Sequence, residues 1–129
     1  MTALDDRTFT STGWITACPL EQLIPGRGVA VLRPDGTQVA VFLLEDGALH
    51  AIGNVDPFSG AAVLSRGLVG DRGGEPTVAS PLLKQVFSLR TGRCLDDGTR
   101  AVTVHEVHLD GTVVRVGPAS DDVADTDNA

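Results

Sequence analysis

Aromatic side chains are scarce in this chain of 129 residues: four Phe, one Trp and no Tyr. Single-stranded nucleic acid is held largely by bases stacking on aromatic faces, so that class of ligand is not expected. Positive charge is also short, with ten Lys and Arg against seventeen Asp and Glu. No basic stripe is present to track a phosphate backbone. No apolar run approaches the roughly 18 residues that cross a bilayer. Met1 to Ser11 is polar and has no apolar signal-peptide centre. These absences predict a cytoplasmic protein that binds neither nucleic acid nor membrane. The two cysteines, Cys18 and Cys94, are far apart. In a reducing compartment they are expected as free, buried thiols rather than a disulfide. Arg72-Gly73-Gly74 opens no helix and fits no phosphate loop, so nucleotide binding is not expected either.

The length suits one compact domain. Hydrophobic residues make up 42% and charged residues 21%, ordinary for a globular protein. The net charge is −7, and Asp121, Asp122, Asp125 and Asp127 in the tail supply four of those negative charges. Fifteen Gly and seven Pro suit many short strands joined by tight turns. Strands are predicted over 13–18, 28–32, 38–44 and 48–52. The last three form a meander turned by Pro34-Asp35-Gly36 and Glu45-Asp46-Gly47. A helical turn is expected in 19–24 and another in 61–65. Short strands are expected over 66–69, 77–79 and 85–89, with a turn or loop at 71–75. A last hairpin joins 101–107 to 112–116 across Leu109-Asp110-Gly111. The pattern predicts an all-β sandwich or small barrel at 13–116, between a flexible leader at 1–12 and an acidic disordered tail at 117–129.

The order of parts carries more than the periodicity. The meander leads into Asn54 and then Asp56-Pro57-Phe58-Ser59. Ser65-Arg66-Gly67-Leu68-Val69-Gly70-Asp71 follows, then Val78-Ala79-Ser80-Pro81, Lys84-Gln85, Phe87 and Thr91-Gly92. With Trp14, Cys18, Pro25-Gly26 and Val39-Ala40-Val41-Phe42, these residues resemble the Rieske-type ferredoxin domain. They are closer still to the small-subunit family of NAD(P)H-dependent assimilatory nitrite reductase, NirD. The resemblance covers about residues 12–116. It implies a Rieske-like antiparallel β fold. It further implies a large partner subunit carrying FAD, an iron–sulfur cluster and siroheme, which reduces nitrite to ammonium in nitrate assimilation.

In a Rieske domain the two loops supply two Cys and two His to a [2Fe–2S] cluster. The corresponding places here hold Asp56, Phe58, Ser80 and Leu83, the last where an aromatic would be expected in this family. Phenyl and isobutyl groups offer no donor atom. The chain is therefore expected to hold no metal or cofactor and to contribute no catalytic residue. Its expected task is to bind the large subunit through Asp56, Pro57, Phe58, Ser59, Arg66, Ser80, Pro81 and Lys84.

Several of these residues have two readings. Asp56 is a partner contact or a turn former that bonds its own backbone. Phe58 is a core plug or an exposed anchor. Lys84, the chain's only lysine, pairs with Asp56, meets a partner or is simply solvated, and Arg66 shares the last two readings. His105 and His108, three apart on a predicted strand, point to opposite faces and do not chelate one ion. His50, on another strand, is read like them as a solvated or edge histidine. Rival functions are a [2Fe–2S] ferredoxin, a cluster-free module of another oxidoreductase, and a thiol enzyme using Cys94.

Overall fold

Turn chemistry and alternating apolar residues build nine strands in the computed structural model, which describes residues 13–120. They are β1 (Ile15–Pro19), β2 (Gly28–Leu32), β3 (Gln38–Leu43), β4 (Leu49–Gly53), β5 (Leu68–Arg72), β6 (Glu75–Ala79), β7 (Val86–Ser88), β8 (Val104–Asp110) and β9 (Val113–Ala119). Short 3-10 turns occupy Leu20–Gln22 and Leu64–Arg66. A six-stranded sheet runs β1-β9-β8-β4-β3-β2 and a three-stranded sheet runs β5-β6-β7, every neighbouring pair antiparallel. The all-β expectation holds.

The meander β2-β3-β4 forms as its turns dictate. Asp35 Oδ1 accepts the Thr37 N–H and Asp46 Oδ1 accepts the Ala48 N–H, each at 2.9 Å. Each aspartate thereby mimics a backbone turn with its own carboxyl group.

Elsewhere the chain departs from the sequence expectation. Of the turn or loop expected at 71–75 only Gly73-Gly74 turns, both at positive φ, and β5 and β6 extend on either side to pair Arg72 with Glu75. Pro76 sits second in β6, and its carbonyl accepts the Leu89 N–H at 2.9 Å. The second helical turn lies at Leu64–Arg66 rather than 61–65, and the last hairpin turns at 111–112. Gly117, Pro118 and Ala119 belong to β9 rather than to a tail. The predicted leader at 1–12 and the tail beyond Ser120 lie outside the described residues.

Two apolar cores share one wall. Val39, Val41 and Ala51 join Ile15, Cys18, Leu23, Val31, Val114 and Val116 on one side. Ala40, Phe42 and Ile52 join Leu64, Val78, Phe87, Leu89 and Cys94 on the other. Successive strand residues point to opposite faces, so β3 feeds both cores, and its sequence is a nearly unbroken apolar run. The second core attaches the three-stranded sheet, and with it both long loops, to the body.

Because β3 belongs to both cores, damage on either face should loosen the whole domain. Val41→Ala is expected to cost about 2 kcal/mol and Phe42→Ala about 4 kcal/mol. Thermal denaturation followed by circular dichroism should show one shifted transition for each variant. Two separate transitions for either would contradict the shared wall.

Candidate functional site

Asn54 roots the first loop. Its buried side chain accepts the Ser65 N–H at 2.7 Å and donates to Gln38 Oε1 at 3.1 Å. Its carbonyl accepts the Leu64 N–H at 3.0 Å. One residue thus ties the end of β4 to the turn that carries Arg66.

Beyond it, a single five-residue turn design is used three times. In the first, Asp56 Oδ1 accepts the Phe58 N–H at 2.8 Å, and the Gly60 N–H donates to the Asp56 carbonyl at 2.7 Å. In the second, Ser80 Oγ accepts the Leu82 N–H at 3.3 Å, and the Lys84 N–H donates to the Ser80 carbonyl at 3.0 Å. In the third, Ser88 Oγ accepts the Arg90 N–H at 3.1 Å, and the Gly92 N–H donates to the Ser88 carbonyl at 2.9 Å. In each, the N–H of the first residue is taken by the carbonyl five residues on, in Ala61, Gln85 and Arg93. The fifth residue takes a left-handed backbone, with φ of 79° at Gly60, 66° at Lys84 and 77° at Gly92. A side chain with Cβ in that region costs about 1 kcal/mol. Among the described residues Lys84 is the one non-glycine with positive φ.

The first two turns are locked to each other. Ser80 Oγ donates to Asp56 Oδ2 at 2.6 Å, and both residues are buried. Asp56 is therefore the turn former, and it is not on the surface. The expectation that Asp56 and Ser80 contact a partner is corrected by this burial. The expected Asp56–Lys84 pair is absent too, since Asp56 faces inward while Lys84 is exposed.

These loops do not fit the [2Fe–2S] group of a Rieske domain. The Asp56 carboxyl is consumed by Ser80 and the Phe58 N–H. Phe58 packs against the second core, its ring 6.1 Å from that of Phe87. The Leu83 side chain is exposed. Cys18 and Cys94 are single thiols buried in separate cores and hold none of the four ligand positions. Among the described residues no three His, Cys, Asp or Glu are grouped to hold a metal ion.

Phe58 acts as the plug, and a residue that sequence reasoning missed closes over it. The Arg100 guanidinium stands 5.3 Å from the Phe58 ring centroid and donates to the Pro57 carbonyl at 2.8 Å. The contact spans 43 positions of chain, and no local signal in the sequence announces it.

The outer face of the loops is apolar and positive. Leu68 is 78% exposed, and Val55, Leu82 and Leu83 are also exposed. Leu68 pairs with Ala79, the residue before Ser80. Pro81 and Ser59 are exposed and Pro57 is half-buried. The cations Arg66, Lys84 and Arg100 are exposed around them. Residues 54–70 and 77–94 contain no carboxylate except the buried Asp56.

Two of the histidines are not solvated. His105 is buried and its Nδ1 donates to the Gly117 carbonyl at 3.1 Å. Desolvation lowers its pKa against that bond, which acts to raise it. His50 is half-buried, and desolvation lowers its pKa against a bond to the Leu89 backbone. His108 is exposed, its ring 4.6 Å from that of Trp14 and tilted by 41° to it. Cys94 is buried with its Sγ 3.9 Å from Gln85 Oε1, an amide that cannot serve as a base.

Residues 13–117 match the family model of the Rieske-like [2Fe-2S] domain. The nitrite reductase (NADH) small subunit of Salmonella typhimurium is 40% identical over 104 residues, 80% of this chain and 95% of that one. A crystal structure assigned as the NADH-dependent nitrite reductase small subunit of Mycobacterium tuberculosis superposes with a TM-score of 0.81. It is 56% identical and covers 83% of this chain and 96% of its own. A third relative is the nitrite reductase [NAD(P)H] large subunit of Klebsiella oxytoca, 42% identical over 115 residues. The match spans 89% of this chain but 12% of that one.

Ser80→Ala should cost about 2 kcal/mol, because it strips a buried carboxyl oxygen of its donor. The loss should be partly recovered when Asp56→Ala is added, with a coupling of about 1–2 kcal/mol in a double-mutant cycle. Additive losses in thermal unfolding would show that the bond is idle.

His50 and His105 set a pH dependence. Folding lowers both pKa values, so below about pH 6.5 the unfolded chain binds more protons than the folded one. Their contribution is full above that pH and is lost as pH falls through the lowered folded values. The melting temperature should fall on acidification from pH 6.5 to 5, less steeply in His105→Gln; an unchanged slope would remove His105 from the effect.

Proposed function

The chain belongs to the Rieske-like [2Fe-2S] domain family and, within it, to the nitrite reductase (NADH) small subunits, and from that membership we propose that it is a cluster-free subunit that docks on the nitrite reductase large subunit. The chemistry, nitrite to ammonium in nitrate assimilation, belongs to the partner. FAD, an iron–sulfur cluster and siroheme are carried there. This chain supplies a docking surface and no catalytic group, and it works in the cytoplasm.

The observation that carries this reading is the Asp56–Ser80 bond at the ligand positions. It leaves the two loops without donors for a metal while holding them as one rigid tip. A ferredoxin role would need thiolates and imidazoles at these positions. The Klebsiella large subunit adds support. A segment 42% identical to this chain occupies 12% of that protein, so there a domain of this kind shares one chain with a large subunit. Where the two are separate chains, the effective concentration that a tether supplies is absent. Surface contacts must then replace it.

The docking patch is revised by burial. Pro57 and Ser59 from the first loop remain in it, with Arg66, Pro81 and Lys84, while Phe58 is the plug behind them. Leu68, Leu82, Leu83 and Arg100 are added, and Asp56 and Ser80 support it from beneath. The loops offer exposed apolar side chains, the kind that interfaces bury at their centre, with cations around them.

Co-expression of the large subunit with and without this chain, followed by nitrite-reduction assay and affinity purification, tests the reading. The double variant Arg66→Glu, Leu83→Asp should keep its melting temperature within about 2 °C, as surface changes do. Its affinity for the large subunit should fall at least about tenfold. Undiminished retention would remove the patch from the interface.

A further inference from the structure

Lys84 occupies a place that the other two turns of the same design give to glycine. The hydrogen bonds are the same in all three, and the left-handed fifth residue is Gly60, Lys84 or Gly92. Glycine adopts this backbone without penalty, whereas a side chain bearing Cβ is strained in it. The domain therefore gives up stability at Lys84 that it keeps at Gly60 and Gly92. Among the described residues no ion pair of the side chain explains the loss. Lys84 is exposed and forms no ion pair among the described residues. Its backbone N–H would make the same bond to Ser80 with glycine in place. Strain held at one residue, with no ion pair among the described residues to offset it, points to what the side chain does outside the molecule.

The surroundings define that outside contact. Leu82 and Leu83 precede Lys84 and are both exposed. Leu68 and Arg66 lie across the neighbouring strand pair, and no exposed carboxylate occurs on either loop. The left-handed turn projects one compact ammonium from an apolar tip already rich in positive charge. We propose that Lys84 is the specificity-determining contact of the docking tip, pairing with a carboxylate in an apolar, acid-rimmed hollow of the nitrite reductase large subunit. The assignment rests on the docking role proposed above and adds the residue and the chemistry of the surface it meets. Attraction between such surfaces speeds association and fixes register, and it weakens with salt.

Lys84→Gly separates the two sides of this inference, because they move in opposite directions. In the isolated full chain it should raise the melting temperature by about 3 °C. In titrations against the large subunit it should weaken binding about tenfold and flatten the salt dependence. Lys84→Arg should restore most of the affinity. Lys84 is the only lysine, so a carbodiimide should join the wild-type side chain to a large-subunit carboxyl group. That cross-link should vanish in both variants, since neither glycine nor arginine offers an amine. A melting temperature that falls in Lys84→Gly would overturn the strain argument. Unchanged affinity with a raised melting temperature would overturn the contact. If the wild-type chain forms no complex with the large subunit, the docking role itself fails and the Lys84 contact with it. A wild-type complex indifferent to Lys84→Gly sinks the contact alone.

Discussion

The bond from Ser80 to Asp56, 2.6 Å between oxygens in a buried site, is the constraint on which the functional end of this molecule depends. A buried carboxyl is costly unless its oxygens are satisfied. Here one oxygen takes the Phe58 N–H of its own turn and the other takes the hydroxyl of the neighbouring turn. Each loop therefore completes the other, and neither can shift without orphaning a buried polar atom. In a ligand-bearing Rieske domain the cluster bridges the loops through four covalent contacts. A hydrogen bond within a closed pair of turns does the bridging here. Phe58 fills adjoining space against the second core, where an emptied pocket would leave a costly cavity.

That lock would be useless without a rigid base, and β3 provides it. Its alternating residues feed both cores, so the three-stranded sheet that bears the second loop packs on the same strand that closes the first core. Asn54 then fixes the first loop to the turn carrying Arg66. The tip residues are held by the turns' own bonds and by the strands that carry them, the condition under which a surface keeps its shape.

Much of this was legible in the sequence, and what was not has physical causes. The meander was readable because Asp-Gly turns and continuous apolar strands are local signals. The β5–β6 hairpin was not, although Gly73-Gly74 is a hairpin signal. Pro76 lacks an N–H and argues against a strand, yet its position near the start of β6 leaves only its carbonyl needed. The two loops are legible by resemblance, but the sequence leaves Asp56 with two readings, a surface contact and a turn former. Composition treats a carboxylate as exposed, and its burial depends on a hydroxyl 24 residues away. Arg100 over Phe58 is a long-range contact of the same kind. The repetition of one turn design at Asp56, Ser80 and Ser88 was hidden because its first residue is Asp or Ser and its fifth Gly or Lys. Only the hydrogen-bond pattern shows that they are equivalent.

Replacing a cluster by a hydrogen bond also changes what the tip presents. A bound [2Fe–2S] group carries charge that alters with each electron, so a surface built over it alters its field on reduction. The Asp56–Ser80 pair has no redox state, and the charges around it are those of Arg66, Lys84 and Arg100. A redox carrier must release its partner after each transfer, which favours a weak and changeable contact. A permanent subunit gains from the opposite. Fixed positive charge on an apolar, preorganised tip lowers the ordering cost of association. The same bond that leaves the tip without cluster ligands therefore also keeps its charge and shape fixed.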